Sequence, residues 1–351
     1  STNAAYQKLT QTVEEGTVVT FAKVPARTGY VNQGWSSKKN SEKATAKAKC
    51  TVNKNITLYA VQKKAVQLTF HRCDGSTWQK TTLAKGSSYS LPGVRDAEGY
   101  TFMGWSTKPM QSVSPQYEAE EKITVNGNVD LYAVVFNRTT ETDLTEDQLP
   151  QVDIYKYKQV IFVGDSRTEF MENVLTGMGE SATKNVKFVC SAGKGLDWFT
   201  TTGWAQLYSI VQHDSNSILS KKTAVIFNFG VNDLSKSADY AEYYNWIAPQ
   251  LKSKGCELYF MSVNPVNRLM LPNAGRADRS EAAVRSFNQY MKANLSSAYT
   301  YIDMYSYLKS TGYSFASDHY GTGTVDDGLH YTTRTYKRIF AKCMDSLRVP
   351  A

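Results

Sequence analysis

The sequence has little cysteine, little histidine and no long apolar run. Its five cysteines form no CxxC pair or other metal-like spacing, so we predict neither a metal site nor a disulfide framework, although a Cys50–Cys73 bridge stays open. We interpret Cys190 and Cys256 as small core residues. No run of about 18 apolar residues occurs, which predicts that no helix spans a membrane. With only four histidines, few side chains can serve as a catalytic base.

Positive charge is concentrated in the N-terminal part of the chain. The net charge is +8, and residues 1–140 hold 18 Lys and Arg against 10 Asp and Glu, whereas residues 141–351 hold 22 of each kind. Such a basic part either binds an anionic surface, for example a cell-wall polymer, or is a solvated lysine-rich face. We do not expect nucleic acid as a partner, because no recognition motif occurs.

The N-terminal part also repeats itself. Residues 27–36 (RTGYVNQGWS) match residues 97–106 (AEGYTFMGWS), and residues 51–61 (TVNKNITLYAV) match residues 124–134 (TVNGNVDLYAV). Apolar and polar residues alternate within each copy, and Gly, Asn and Ser separate the segments. This pattern predicts short strands and hairpins.

The repeated motif, with Gly-Tyr-x-Phe-x-Gly-Trp and a closing Leu-Tyr-Ala, resembles the internalin-type B repeat, a bacterial surface repeat. The match covers roughly residues 5–137, with Asn32 standing where the second copy has Phe102, and both copies lack the final tryptophan of the pattern. We expect Trp35 and Trp105 to fill equivalent positions in two small cores. The resemblance implies β-grasp-like modules that act as spacers or adhesive units.

The expected modules are residues 1–65, for which we expect an opening strand that is either degraded or cut off, and residues 66–137. The resemblance also implies a protein that is secreted or lies on the bacterial cell surface. No signal peptide is present, but Ser1-Thr2-Asn3-Ala4 is typical of a cloning remnant, so this absence carries no weight.

Residues 138–152 are polar and acidic, which predicts a linker. From residue 153 to residue 351 short apolar strands alternate with helices, which predicts an α/β domain with a mostly parallel sheet and helices on both faces. In such a sheet the active site lies at the carboxyl ends of the strands. We predict strands at 159–163, 186–190, 223–229, 256–262 and 299–303, and helices near 168–177, 203–219, 237–253, 280–296 and 332–347.

A serine follows the first predicted strand. The apolar run at 160–163 (VIFV) is followed directly by Gly-Asp-Ser-Arg, so the hydroxyl of Ser166 is expected at the carboxyl edge of the sheet. Its backbone N–H would lie near a helix N-terminus, which favours a developing oxyanion. Asp165-Ser166 before a helix is also a common N-cap, and the motif alone does not decide between the two.

A histidine with a nearby carboxylate precedes the last predicted helix. In Asp327-Gly328-Leu329-His330 the spacing lets the carboxylate reach Nδ1 of His330, which leaves Nε2 to take the proton of Ser166. His319 is the rival base, but it lacks this spacing. His213 lies in a predicted helix and is interpreted as structural, and the fourth histidine lies in the repeats.

Two further segments follow predicted strands. Asn232, in Gly-Val-Asn-Asp, can donate an amide hydrogen bond to an oxyanion without adding charge, although Asn-Asp is also an ordinary turn. A glycine after the second strand lets the backbone approach a reacting carbonyl. We favour Gly195 for this role, with Gly193 as the alternative.

These four segments, in this order, resemble the blocks of the SGNH (GDSL-type) hydrolases over residues 155–348. The resemblance implies a flavodoxin-like three-layer α/β/α fold, a serine esterase with a Ser166–His330–Asp327 triad, and no metal or organic cofactor. The implied oxyanion donors are the N–H groups of Ser166 and Gly195 and the side chain of Asn232. Arg167 departs from the usual leucine, and it either points at the substrate or pairs with a carboxylate.

The expected substrate is an ester with a short acyl group, such as acetyl, on a glycan. Asn264 and Trp198 are further candidates for the cleft, although Asn264 is equally explained by a turn before proline. The alternatives are a surface adhesion protein, in which the repeats carry the function and the C-terminal domain binds glycan without turnover, and a lipase or thioesterase of the same fold. The aromatic residues that favour a sugar, unless they belong to the core, are Trp198, Phe199, Trp204, Tyr313, Phe315 and Tyr320.

Overall fold

The computed structural model describes residues 10–153, 156–213, 222–271, 278–316 and 327–347. Residues His319 and Tyr320 lie outside these ranges. The chain divides into two compact units. The first contains residues 1–90, 107–109 and 122–132, and the second contains residues 91–106, 110–121 and 133–351. The domain boundaries inferred from the sequence follow the repeats instead, and they stay predictions.

From residue 10 onward the repeat region contains nine strands, as the alternating pattern predicts. They are β1 (Thr17–Thr20), β2 (Tyr30–Ser36), β3 (Lys49–Val52), β4 (Tyr59–His71), β5 (Thr77–Ala84), β6 (Ser87–Ser90), β7 (Tyr100–Ser106), β8 (Lys122–Val125) and β9 (Val129–Asn137). Within the first unit, the long strand β4 pairs antiparallel with β2 and β5 and parallel with the start of β9. The β-rich character expected of the repeats is therefore confirmed.

The second unit is built on a five-stranded parallel sheet. Its strands are β10 (Tyr157–Gly164), β11 (Val186–Cys190), β12 (Lys222–Asn228), β13 (Cys256–Met261) and β14 (Tyr299–Ile302). Their order is β11-β10-β12-β13-β14. This is the flavodoxin-like order 2-1-3-4-5, which confirms the expected fold class.

Helices cover both faces of this sheet. They are α1 (Ser166–Thr176), α2 (Glu180–Thr183), α3 (Leu196–Trp198), α4 (Trp204–His213), α5 (Ser237–Ser253), α6 (Glu281–Asn294), α7 (Met304–Thr311) and α8 (Thr333–Ser346). The short helices α2, α3 and α7 and a π-helical turn at Phe199–Gly203 are not predicted from the sequence.

The central strands bury alternate side chains on opposite faces. Ile161 and Val163 of β10 pack in one cluster with α4, α5 and α6, whereas Val160 and Phe162 pack in the other with α1, α7 and α8. All four side chains are fully buried. Burial on both faces explains why the strand is a continuous apolar run, and it gives the three-layer arrangement.

The segment at 138–152 is polar in sequence but partly buried in structure. It contains two 3-10 turns, and Glu141, Leu149 and Val152 are buried. The Glu141 carboxylate accepts hydrogen bonds from Ser314 and Arg338. The buried carboxylate of Glu141 therefore anchors this segment within the second unit. A count of apolar residues in the sequence does not reveal such an anchor, because the buried group is charged.

Two expectations from composition can be compared with the described residues. All five cysteines lie in described segments and none of them forms a disulfide; Cys256 is buried, whereas Cys190 is half-buried. Across the described ranges no helix is both long and apolar enough to cross a membrane.

Candidate active site

Ser166 is the first residue of helix α1, directly after strand β10. Asp165 caps the helix, and its carboxylate accepts the backbone N–H of Arg167 at 3.0 Å. Burial raises the pKa of Asp165 to about 6, against the charge of Arg167, which lowers it. As the first helical residue, Ser166 has a backbone N–H without an intrahelical acceptor. Asp165 is therefore the cap of helix α1, and Ser166 lies just past the carboxyl end of strand β10, where the sequence placed its hydroxyl.

Asp327 and His330 are held by a tight turn before helix α8. One carboxylate oxygen of Asp327 accepts the backbone N–H groups of Leu329 and His330, at 2.8 and 2.7 Å. The other oxygen is 2.7 Å from Nδ1 of His330. Gly328 has a φ of +66°, and a side chain there would collide with the backbone oxygen of Asn267. The turn thus needs glycine and fixes the imidazole by its own hydrogen bonds.

The structure brings Ser166, His330 and Asp327 together. Nε2 of His330 is 2.9 Å from Oγ of Ser166, although 164 residues separate them in the chain. The ring of Phe170 packs against the imidazole, with centroids 4.5 Å apart. With the Nδ1 proton directed to Asp327, Nε2 is placed to accept the serine proton. This geometry suits general-base activation of a hydroxyl.

Gly195 lies where helix α3 begins, beside the loop that carries Asn232. Asp233 accepts the N–H of Leu196 at 2.9 Å and the hydroxyl of Tyr240 at 2.7 Å. A side chain at Gly195 would collide with the Asp233 carboxylate. Gly193 instead has a φ of +69° and open space around its Cα. The close packing therefore favours Gly195 over Gly193 as the backbone donor.

The side-chain amide of Asn232 is fixed from both ends. Its Nδ2 donates to the backbone oxygen of Lys194 at 2.8 Å. Its Oδ1 accepts from Nη2 of Arg279 at 2.8 Å, while Nε of Arg279 donates to the oxygen of Val231 at 3.1 Å. One N–H of the amide remains after these contacts.

Arg167 is buried, and its guanidinium donates to the backbone oxygens of Leu329, Asn264 and Pro265 at 2.9–3.0 Å. These three hydrogen bonds hold two loops to helix α1. A planar fork with several donors fits such scattered carbonyls better than the usual leucine. The roles expected from the sequence, binding of substrate or pairing with a carboxylate, stay predictions.

The candidates for the cleft differ in their surroundings. Trp198 is half-buried against the core, with its ring centroid 6.0 Å from that of Phe229. Asn264 is buried, and its side-chain oxygen has no hydrogen-bond partner among the residues that the structure describes. Of the aromatic residues proposed to face a sugar, Phe199, Tyr313 and Phe315 are core residues, which corrects that expectation. Trp204 packs partly buried against the core.

Two residues that shape the site were not identified from the sequence. Asp233 belongs to the same Gly-x-Asn-Asp segment as Asn232, so a signal existed, but its role as support for Gly195 depends on a contact 37 residues away. Arg279 lies 47 residues from Asn232, and no local pattern connects the two.

Solved structures similar to this chain cover just over half of it. An acetyl xylan esterase covers 54% of this chain and 100% of its own, with 10% identity and a TM-score of 0.38. A catalytic mutant of an acetylxylan esterase from Geobacillus stearothermophilus covers 56% and 96%, with 12% identity and a TM-score of 0.34. The catalytic domain of a peptidoglycan O-acetyltransferase from Streptococcus pneumoniae covers 54% and 92%, with 16% identity and a TM-score of 0.32. No curated protein matches the sequence.

Family models identify both parts of the chain. The Listeria-Bacteroides repeat domain matches residues 2–61 and 67–134, which confirms two repeats, while the narrower name of internalin-type B repeat stays an interpretation. The model described as GDSL-like Lipase/Acylhydrolase matches residues 160–343, more than half of the chain. The protein is an ester hydrolase that belongs to the GDSL-like lipase/acylhydrolase family.

Proposed function

We propose that this hydrolase uses Ser166 as nucleophile, His330 as general base and Asp327 as the group that orients the imidazole. The observation that carries the proposal is a pair of contacts in series. Oγ of Ser166 lies 2.9 Å from Nε2 of His330, and Nδ1 of His330 lies 2.7 Å from the carboxylate of Asp327. A serine hydroxyl needs such a base to attack at neutral pH, and the order of these contacts supplies it.

The reaction proceeds by double displacement. Oγ of Ser166 bonds to the ester carbonyl carbon while its proton moves to Nε2 of His330. The tetrahedral intermediate collapses, and the alcohol leaves with the proton that His330 returns. Water then attacks the acyl-serine, again losing a proton to His330, and Ser166 is regenerated as the carboxylic acid departs.

Three donors stabilise the oxyanion in this proposal. The N–H of Ser166 lies at the N-terminus of helix α1, the N–H of Gly195 lies at the N-cap of α3, and Asn232 contributes the amide N–H not used by Lys194. Donors fixed before the reaction stabilise developing charge without having to reorganise. Loss of one such donor typically costs about 10²–10³-fold in kcat.

The proposed substrate is a short acyl ester, such as acetyl, on a glycan. Among the described residues, Ser166 and His330 are each 5% exposed. We take this small exposed fraction of nucleophile and base to favour a small acyl group over a long acyl chain. Trp198, half-buried near the N-cap glycine of α3, offers an aromatic face of the kind that packs on sugar rings.

The proposed location is the bacterial cell surface, where the repeats bind an anionic wall polymer. Residues 1–140 carry 18 Lys and Arg against 10 Asp and Glu, and exposed lysines such as Lys38 and Lys39 belong to this excess. Binding of this kind is expected to weaken with salt. Co-sedimentation of the whole protein with cell walls in low and high salt tests it, and retention independent of salt would contradict it.

The esterase assignment is tested with p-nitrophenyl esters at pH 7–8. We expect Ser166→Ala to lose at least about 10³-fold in kcat for the acetate, because the site then has no nucleophile. Ser310→Ala, which changes an exposed serine on helix α7, is the matched control and is expected to retain full activity. Equal activity of wild type and Ser166→Ala would overturn the proposed nucleophile.

Acyl-chain length tests the substrate class. We expect kcat/KM to fall from the acetate to the butyrate and the octanoate ester, and acetylated polysaccharide to release acetate with wild type but not with Ser166→Ala. A maximum at the octanoate would instead identify a lipase or thioesterase specificity and would reject the short acyl group.

A further inference from the structure

The amide of Asn232 has one arrangement that satisfies its neighbours. A guanidinium only donates hydrogen bonds and a backbone carbonyl only accepts them. Arg279 therefore faces Oδ1 of Asn232, at 2.8 Å, and the oxygen of Lys194 faces Nδ2, also at 2.8 Å. Turning the amide by 180° would break both contacts. The second N–H of Nδ2 then has a fixed direction.

Arg279 is itself held in place. Its Nε donates to the backbone oxygen of Val231, the residue before Asn232, at 3.1 Å. It immediately precedes Ser280, whose hydroxyl caps helix α6 by accepting the N–H of Ala283 at 3.0 Å. From the start of helix α6, the guanidinium of Arg279 thus bonds both to the backbone and to a side chain of the loop that carries Asn232.

The charge of Arg279 acts on the amide that it contacts. A cation bonded to the amide oxygen polarises the amide and strengthens its N–H as a donor.

We propose that Arg279 is a positioning residue that fixes and polarises the Asn232 amide, so that its free N–H binds the oxyanion of an ester during hydrolysis. Arg279 acts through Asn232 and does not touch the substrate. The inference rests on the proposed function, since it assigns a supporting residue to the oxyanion site described there.

Steady-state kinetics on p-nitrophenyl acetate test this role. We expect Arg279→Met to lower kcat by about 10–10²-fold while KM changes by less than about twofold, because the contact matters in the transition state. Arg279→Lys, which keeps the charge, is expected to recover part of kcat. A raised KM with unchanged kcat would overturn the proposal and indicate that Arg279 binds substrate.

The decisive test is a double-mutant cycle with Asn232→Ala. If Arg279 acts only through Asn232, then Arg279→Met has no further effect on kcat once the amide is gone. Losses that multiply in the double variant would overturn the proposal. Arg285→Met is the matched control, since it removes another half-buried arginine, on helix α6, whose Nη1 donates to Ala119, and it is expected to leave kcat unchanged.

A readout without turnover separates this inference from the proposed function. The side-chain amide signal of Asn232, assigned by its loss in Asn232→Ala, is expected to shift and to exchange faster with solvent in Arg279→Met. An unchanged signal would overturn the inference whatever the activity. If Ser166→Ala stays active, the proposed nucleophile fails; if it is inactive while Arg279→Met keeps full kcat, only the role of Arg279 fails.

Discussion

In both repeats the indole N–H of the Gly-Trp tryptophan donates to the backbone oxygen 13 residues earlier. Trp35 bonds to Ala22 at 2.6 Å, and Trp105 bonds to Pro92 at 2.8 Å. The strand pairs also correspond, since Thr17 pairs with Val52 in the first copy and Ser87 with Val125 in the second. The two copies therefore share their backbone framework.

The same framework is buried to very different degrees. Trp35 is half-buried, whereas Trp105 is fully buried. In strand β2 the side chain of Gln33 is exposed, whereas its counterpart Met103 in β7 is fully buried. The first copy lies wholly in the first unit, while β7 belongs to the second.

The difference shows that backbone hydrogen bonds define the repeat, while a few side chains decide what it packs against. Met103 lies in the same buried cluster as Phe136, Tyr157 and Phe162, so the strand that carries it is part of the core of the second unit. Part of the second repeat is therefore integrated into the unit that holds the active site.

Among substitutions that test this difference between the repeats, we expect the largest loss of stability when Lys309 of helix α7 is replaced. Its ammonium donates to the backbone oxygen of Met103 at 2.8 Å and lies 2.8 and 2.9 Å from the carboxylates of Glu118 and Glu281. Burial lowers the pKa of Lys309, but the charge of Glu281 outweighs this, so the pKa lies above its usual range. We expect Lys309→Met to cost about 3–5 kcal/mol, because it leaves buried carboxylates unpaired.

Urea unfolding of the whole protein measures this cost, and hydrogen exchange shows which unit loosens. Lys39→Met, an exposed lysine of the first copy, is the control and is expected to change the free energy of unfolding by less than about 0.5 kcal/mol. If both substitutions cost the same, the second repeat is not integrated as described.

The next effect comes from the paired positions Met103 and Gln33. We expect Met103→Ala to cost about 2–5 kcal/mol, because it opens a cavity in a packed core. Gln33→Ala changes an exposed side chain and is expected to cost less than about 0.5 kcal/mol. The two variants are compared by urea unfolding under the same conditions. A similar cost at both positions would show that burial does not distinguish the copies.

The sequence allowed the parts of the site that depend on local order to be predicted. Asp327 and His330 lie three residues apart, and Ser166 directly follows a buried strand. Parallel strands end at one edge of the sheet, which is why the residues following different strands meet there. The packed position of Met103 could also have been suspected, since an apolar residue stands where the first copy has Gln33.

Contacts between distant segments could not be predicted in this way. Arg279 reaches Asn232 across 47 residues, and Arg167 reaches carbonyls about 97–162 residues away. A single arginine carries no periodic signal, so its partners depend on how whole elements pack. The burial of Glu141 in a segment that reads as a polar linker has the same cause.

The two units also differ in the pKa values of individual carboxyl groups, which extends the comparison to the dependence of stability on pH. In the first unit the exposed Asp74 has its pKa lowered by the Ser76 hydroxyl, whereas burial in the second unit raises the pKa of Asp165 to about 6. The contribution of Asp165 to stability is fully present below about pH 4 and is lost as pH rises through about 6. The loss is of the order of 2–3 kcal/mol.

Asp165→Asn removes this titration while keeping an oxygen to cap helix α1. We therefore expect the variant to match wild type near pH 4 and to become more stable by about 2–3 kcal/mol at pH 8. Urea unfolding at a series of pH values measures the difference, and Asp74→Asn is the control. A difference between wild type and Asp165→Asn that does not vary with pH would contradict the raised pKa.

The smallest expected effect tests whether the side chain alone decides burial. Gln33→Met gives strand β2 the residue that β7 buries, but the first copy offers no equivalent of the core around Met103 among the described residues of its unit. We expect the free energy of unfolding to change by less than about 0.5 kcal/mol. A gain of more than about 1 kcal/mol in urea unfolding would mean that the first copy has a latent apolar partner. The identity of the side chain, rather than its setting, would then explain why the two repeats differ.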